Sequence, residues 1–161
     1  MAATPDTKPL QAELARRQRA AALTVAGFLA LAIVLLLIAY FAGTSIFRPG
    51  DPAITMGLWI AILIFGLGAF VLRRTKFAAL RLKDITAVQG PSALLQTLQT
   101  TTIQCASIGG AIALMGFMIT IRTGEWTNML RSAGVSLIVL IYCYPFRSAW
   151  ERTLIQLSPQ A

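Results

Sequence analysis

The chain has 161 residues, 57% of them hydrophobic and only 12% charged, about half the charged fraction of a soluble domain. A mean hydropathy of +0.71 describes more apolar surface than one water-soluble core of this size hides, so an ordinary soluble globule is excluded. The net charge of +8 would suit a phosphate-rich partner, but nearly every Lys and Arg flanks an apolar run, where membrane topology places them, and nucleic acid is not the expected partner.

Residues 1–19 are polar, contain Pro5, Pro9, Arg16, Arg17 and Arg19, and are expected to form a flexible N-terminus. The run 20–42 carries no charge over 23 residues, enough at about 1.5 Å per residue to cross a hydrocarbon core. A basic stretch before an apolar one is also the pattern of a signal peptide. This run is long for one, however, and no small-x-small cleavage site follows it cleanly. An uncleaved first span is expected.

A turn-rich loop follows, with Pro49, Gly50, Asp51 and Pro52 at its centre. The second apolar run covers 53–72 and stops at Arg73 and Arg74. A connector at 73–92 sets Arg73, Arg74, Lys76, Arg81 and Lys83 against a single acid, Asp84, a composition suited to anionic lipid head groups. Phe77, Leu80, Asp84 and Val88 lie at near-helical spacing. They predict a short interfacial helix that Gly90 and Pro91 break, with Ser92 placed to cap the helix after it.

The third helix is expected over 97–121 and begins with polar residues, among them Thr101, Thr102 and Gln104. The fourth is expected over 129–145, with Pro145 marking its end. Residues 147–161 form a tail. The fold class is therefore all-α: an integral membrane four-helix bundle, antiparallel, with 20–146 as its membrane domain. Eleven of the fourteen Lys and Arg residues fall in the N-terminus, the connector and the tail. The positive-inside rule then puts both termini in the cytoplasm and the chain in an inner (plasma) membrane as a multi-pass protein.

Candidate chemistry is sparse. Apart from Arg131, which stands at the outer end of the fourth run and can snorkel to the interface, the four apolar runs contain no Asp, Glu, Lys or Arg, and the chain has no His, which weighs against ion-coupled transport. The acids Asp6, Glu13, Asp51, Asp84, Glu125 and Glu151 are scattered, with no metal or base partner in the pattern, so no catalytic residue, metal or cofactor is expected. Cys105 and Cys143 each sit in an apolar stretch without CxxC or metal-ligand spacing. They read as small buried packing residues.

The third helix is the most informative segment. Ala106, Gly109, Gly110, Ala113 and Gly116 form a small-residue face of the kind that lets helix backbones approach closely. Thr101, Thr102 and Gln104 are candidates for interhelical hydrogen bonds. That face packs either within the chain's own bundle or against another subunit.

From Gly110 to Gly116 the sequence reads GAIALMG, which resembles part of the rotor-ring proteolipid helix of rotary ATPases. In that family a carboxylate opens a segment similar to EAIALYG and carries the translocated proton. Gly110 stands at that position, so the resemblance implies a proteolipid-like helix without its ion-carrying role. The chain also resembles small four-helix bacterial membrane proteins of unassigned activity. The expected function is a non-enzymatic accessory or scaffold subunit, packing through helix three with itself or with a larger membrane complex. The alternative is a small oligomeric transporter or channel without an intramembrane ionisable group.

Overall fold

The uncharged runs fold as helices because a backbone in apolar surroundings must satisfy its own N–H and C=O groups. The computed structural model describes secondary structure for residues 7–76, 79–146 and 150, and side-chain environments for 11–76, 92–146 and 150. It contains α1 (Thr7–Ala42), α2 (Pro52–Lys76), α3 (Ala79–Thr123) and α4 (Trp126–Cys143), with no strand among the described residues. All four helices are long and apolar enough to cross a membrane.

Helices α1 and α3 extend furthest beyond the apolar runs within them. Helix α1 begins at Thr7, so residues 7–19, expected to be flexible, extend the first span as continuous helix. Helix α3 runs unbroken for 45 residues. The break expected at Gly90 and Pro91 is absent, Ser92 lies inside the helix, and the expected connector is divided between the end of α2 and the start of α3. A proline inside a helix forfeits one backbone hydrogen bond and crowds the carbonyl four residues back, at a cost of about 3 kcal/mol. The turns just beyond Pro91 offset that cost by burial. Leu94, Leu95 and Leu98 pack with Leu14 and Ala21 of α1 and with Trp150, all nearly inaccessible. Here Arg17 is bonded to Glu13 at 2.8 Å and reaches Gln99 Oε1 at 3.4 Å, while Gln18 donates to the Pro145 carbonyl at 3.2 Å.

Helix α3 is the axis of the bundle. It packs against each of the other three helices, whereas α1 and α2 scarcely touch one another. On α1 the buried residues Leu14, Ala21, Val25, Ala32, Leu35 and Ala39 recur at spacings of three, four and seven, forming one stripe. On α2 the buried residues are Ile62 and Ala69, one heptad apart.

The loops at the opposite end are tied together. The Arg48 N–H donates to the Ile121 carbonyl at 2.8 Å, and the Arg122 guanidinium rests on Gly50, where a Cβ would collide with it. Gly124 adopts φ +72° and returns its N–H to the Thr120 carbonyl at 2.8 Å, a C-terminal glycine cap that turns α3 into α4. The Thr123 hydroxyl then accepts from the Asn128 amide at 2.9 Å. Helix α4 starts at Trp126, three residues before the sequence expectation. It ends at Cys143, because Tyr144 precedes a proline and takes an extended conformation with ψ 132°.

Candidate functional site

Each small residue on α3 meets a specific neighbour from the same chain. Ala106 is fully buried and clusters with Val25 of α1 and Leu140 of α4. At Gly109 an added Cβ would lie 3.0 Å from the Leu140 side chain and 3.6 Å from the Ser136 carbonyl oxygen. At Gly110 it would run into the Phe28 ring of α1. Ala113 packs among Ala32, Leu35, Ala39 and Met129. At Gly116 a Cβ would overlap the Ser132 side chain of α4. The face is thus filled from within the chain, by Phe28 on one side and by Ser132, Ser136 and Leu140 on the other. The side-chain space at Gly110 is taken by Phe28.

The polar candidates separate. Thr101 and Thr102 are buried, and the Thr102 hydroxyl donates to its own helix at the Leu98 carbonyl, 2.9 Å away. Gln104 is exposed and points away from the bundle. The small-residue face receives an interhelical hydrogen bond from α4 instead, where the Ser136 hydroxyl donates to the Gly109 carbonyl at 2.7 Å. Sequence reasoning missed Ser132 and Ser136. Their signal was present: with Met129, Val139, Leu140 and Cys143 they make one helical face, and all six are buried. Two serines four residues apart complement the glycines of α3.

At the basic end, Arg73 is half-buried, Arg74 is exposed and Lys76 is half-buried. The Arg73 guanidinium stacks 4.4 Å from the centre of the Tyr142 ring, a cation–π contact, and that ring stacks on Phe70 with 5.2 Å between centroids. The side chains of Arg81 and Lys83 lie outside the described environments. The two cysteines, distant in sequence, come together near this end. Both are buried and belong to one apolar cluster, in which the Cys105 thiol donates to the Ala69 carbonyl oxygen of α2 at 3.8 Å.

Cavities are shallow and peripheral to these contacts. One of about 470 Å³ lies at the loop end, between Pro52, Met56 and Trp59 of α2 and Arg122. Another, of about 240 Å³ and wholly apolar, separates Val25 and Leu29 of α1 from Leu140 and Tyr144. Among the described residues no three His, Cys, Asp or Glu side chains are grouped to hold a metal ion. Compared with protein-family models, curated proteins and solved structures, the chain matches none.

Proposed function

We propose that this chain is a non-enzymatic accessory or scaffold subunit of an inner (plasma) membrane, docking onto a second copy of itself or onto an apolar helix of a larger complex. The observation that carries this reading is the condition of α2. Only Ile62 and Ala69 of that helix are buried, while Ile60, Leu63, Ile64, Leu67 and Val71 are exposed. A Cβ built at Gly57 or Gly68 meets nothing within 4 Å. Glycine within a helix costs roughly 0.5–1 kcal/mol relative to alanine, and small residues on a membrane-facing surface serve close helix approach. Because the small face of α3 is occupied from inside, the docking surface in this proposal lies on α2 and no longer on helix three.

In the same reading the helices alternate in direction and both termini face the cytoplasm. Residues 14–21 cluster with 94–98 and Trp150, while Arg48 pairs with Ile121 at the other end. This grouping supports the alternation. Eleven of fourteen Lys and Arg residues in the N-terminus, the 73–92 segment and the tail support the orientation.

The test is the native mass of the chain purified in mild detergent and in lipid nanodiscs. The expected result is an oligomer or a co-purifying membrane subunit, reduced to a lone chain by Gly57→Leu with Gly68→Leu while the thermal midpoint is retained. A wild-type chain that is monomeric in both media, and that no crosslinker joins to another chain in native membranes, overturns the proposal.

A further inference from the structure

The apolar groove of about 240 Å³ between α1 and α4 has Val25, Ala26 and Leu29 on one side and Leu140, Tyr144 and Phe146 on the other. Val25 and Leu140 are buried at its floor, while Ala26, Tyr144 and Phe146 are exposed. Tyr144 and Phe146 meet edge to face, 5.1 Å between ring centroids, and make one wall. One heptad before Val25, the Gln18 amide donates to the Pro145 carbonyl at 3.2 Å and bridges α1 to the segment after α4.

Two cations stand on α1 beside this bridge. Arg16 and Arg19 are exposed and line a second concavity of about 420 Å³, together with the small residues Ala12, Ala15 and Ala20. Arg17, between them in sequence, is paired with Glu13. Arg16 and Arg19 make no hydrogen bond or ion pair with any described residue. Arg19 and Ala26 are seven residues apart on a continuous helix, so they share a face, with about 10 Å of helix axis between them. An extended arginine side chain and a glycerophosphate together cover that distance.

We propose that the α1–α4 groove holds one acyl chain of an anionic phospholipid whose phosphate is bound by Arg16 and Arg19. The groove is smaller than the roughly 300–1,000 Å³ of pockets that enclose a whole small molecule, and its lining is wholly apolar. A hydrocarbon chain that enters from one end suits it, and a polar metabolite does not. Guanidinium groups recognise phosphate through paired N–H donors, and here two of them have no partner within the chain. A net negative head group complements them, whereas a zwitterionic one brings a cation of its own. The site rests on the membrane reading above and is independent of docking through α2.

The probes are dioleoylphosphatidylglycerol and dioleoylphosphatidylcholine, which have the same acyl chains. Each is titrated into the full chain in mild detergent, and the lipids retained per chain are counted by native mass spectrometry. One phosphatidylglycerol per chain is expected, held about tenfold more tightly than phosphatidylcholine. Arg19→Gln weakens it about fivefold, and Arg16→Gln with Arg19→Gln about twentyfold. Arg48→Gln, which removes the same charge at the opposite end, leaves it unchanged. Ala26→Trp fills the groove from an exposed position and abolishes retention with the thermal midpoint preserved, and soluble glycerol phosphate does not displace the lipid. Equal affinity for the two lipids overturns the proposal, as does equal weakening by Arg48→Gln and Arg19→Gln, or full retention by Ala26→Trp. Displacement by glycerol phosphate overturns it in favour of a free-phosphate site. Retention of neither lipid overturns the membrane reading along with this site.

Discussion

The hydroxyl of Ser136 on α4 reaches the backbone carbonyl of Gly109 on α3 at 2.7 Å, a contact made possible because residue 109 has no side chain to hold the helices apart. Membrane interhelical hydrogen bonds of this kind average only about 0.6 kcal/mol. Ser136→Ala should therefore lower unfolding stability by roughly 0.5–1 kcal/mol, read by reversible unfolding in detergent. Ser136→Leu places bulk against the α3 backbone and should cost about 1–3 kcal/mol through overpacking.

Glycines on α3 and α2 should respond in opposite ways. A Cβ at Gly110 or Gly116 runs into Phe28 or Ser132, whereas one at Gly57 or Gly68 enters open space. Gly116→Ala is expected to destabilise by about 1–3 kcal/mol. Gly68→Ala in the isolated chain is expected to stabilise by about 0.4–1 kcal/mol. Thermal midpoints of the two variants in one detergent check the contrast.

Trp150 holds the extension of the bundle at the basic end. It is 3% exposed and packs with Leu14, Ala21, Leu94, Leu95 and Leu98. Trp150→Ala should cost about 3–5 kcal/mol in that cluster. Hydrogen exchange should show the loss as reduced amide protection at residues 11–21 and 92–99. Protection at residues 105–120 should be nearly unchanged, because the core beside α4 is a separate cluster.

Gly124 is required by its backbone. At φ +72° a side chain is strained, and the Phe47 ring lies 3.1 Å from where the Cβ would stand. Gly124→Ala is expected to lose about 1 kcal/mol or more. Gly124→Asn should lose less, since asparagine tolerates this region better. Chemical denaturation of both variants orders the two effects.

The four spans were legible because charge marks their limits: Arg73 and Arg74 close the second run, and Arg122 stands at the end of the third. The small face of α3 was legible from spacing for the same reason, since glycine and alanine at every third or fourth position have one obvious use in a membrane helix. What fills it was not. Phe28 reads as an ordinary apolar residue, and Ser132 and Ser136 reveal their role only when set opposite Gly116 and Gly109. Gly90 and Pro91 misled because they report local preference, while the continuity of α3 is supported by Leu94 and Leu98 meeting Leu14 and Trp150 from distant parts of the chain. That Cys105 and Cys143 share one buried cluster likewise depends on how α3 lies against α4, which neither residue's neighbours in sequence convey.

The central place of α3 bears on how the protein is made. Helices α1 and α2 leave the ribosome before α3, yet they scarcely touch one another. On the membrane reading proposed above, each therefore stands in lipid as a separately solvated rod until α3 arrives. The arrival of α3 supplies the surface on which α1 and α2 both settle, and α4 completes it by seating Ser132 and Ser136 against the glycines. A chain truncated before residue 79 then holds two helices with almost no surface in common.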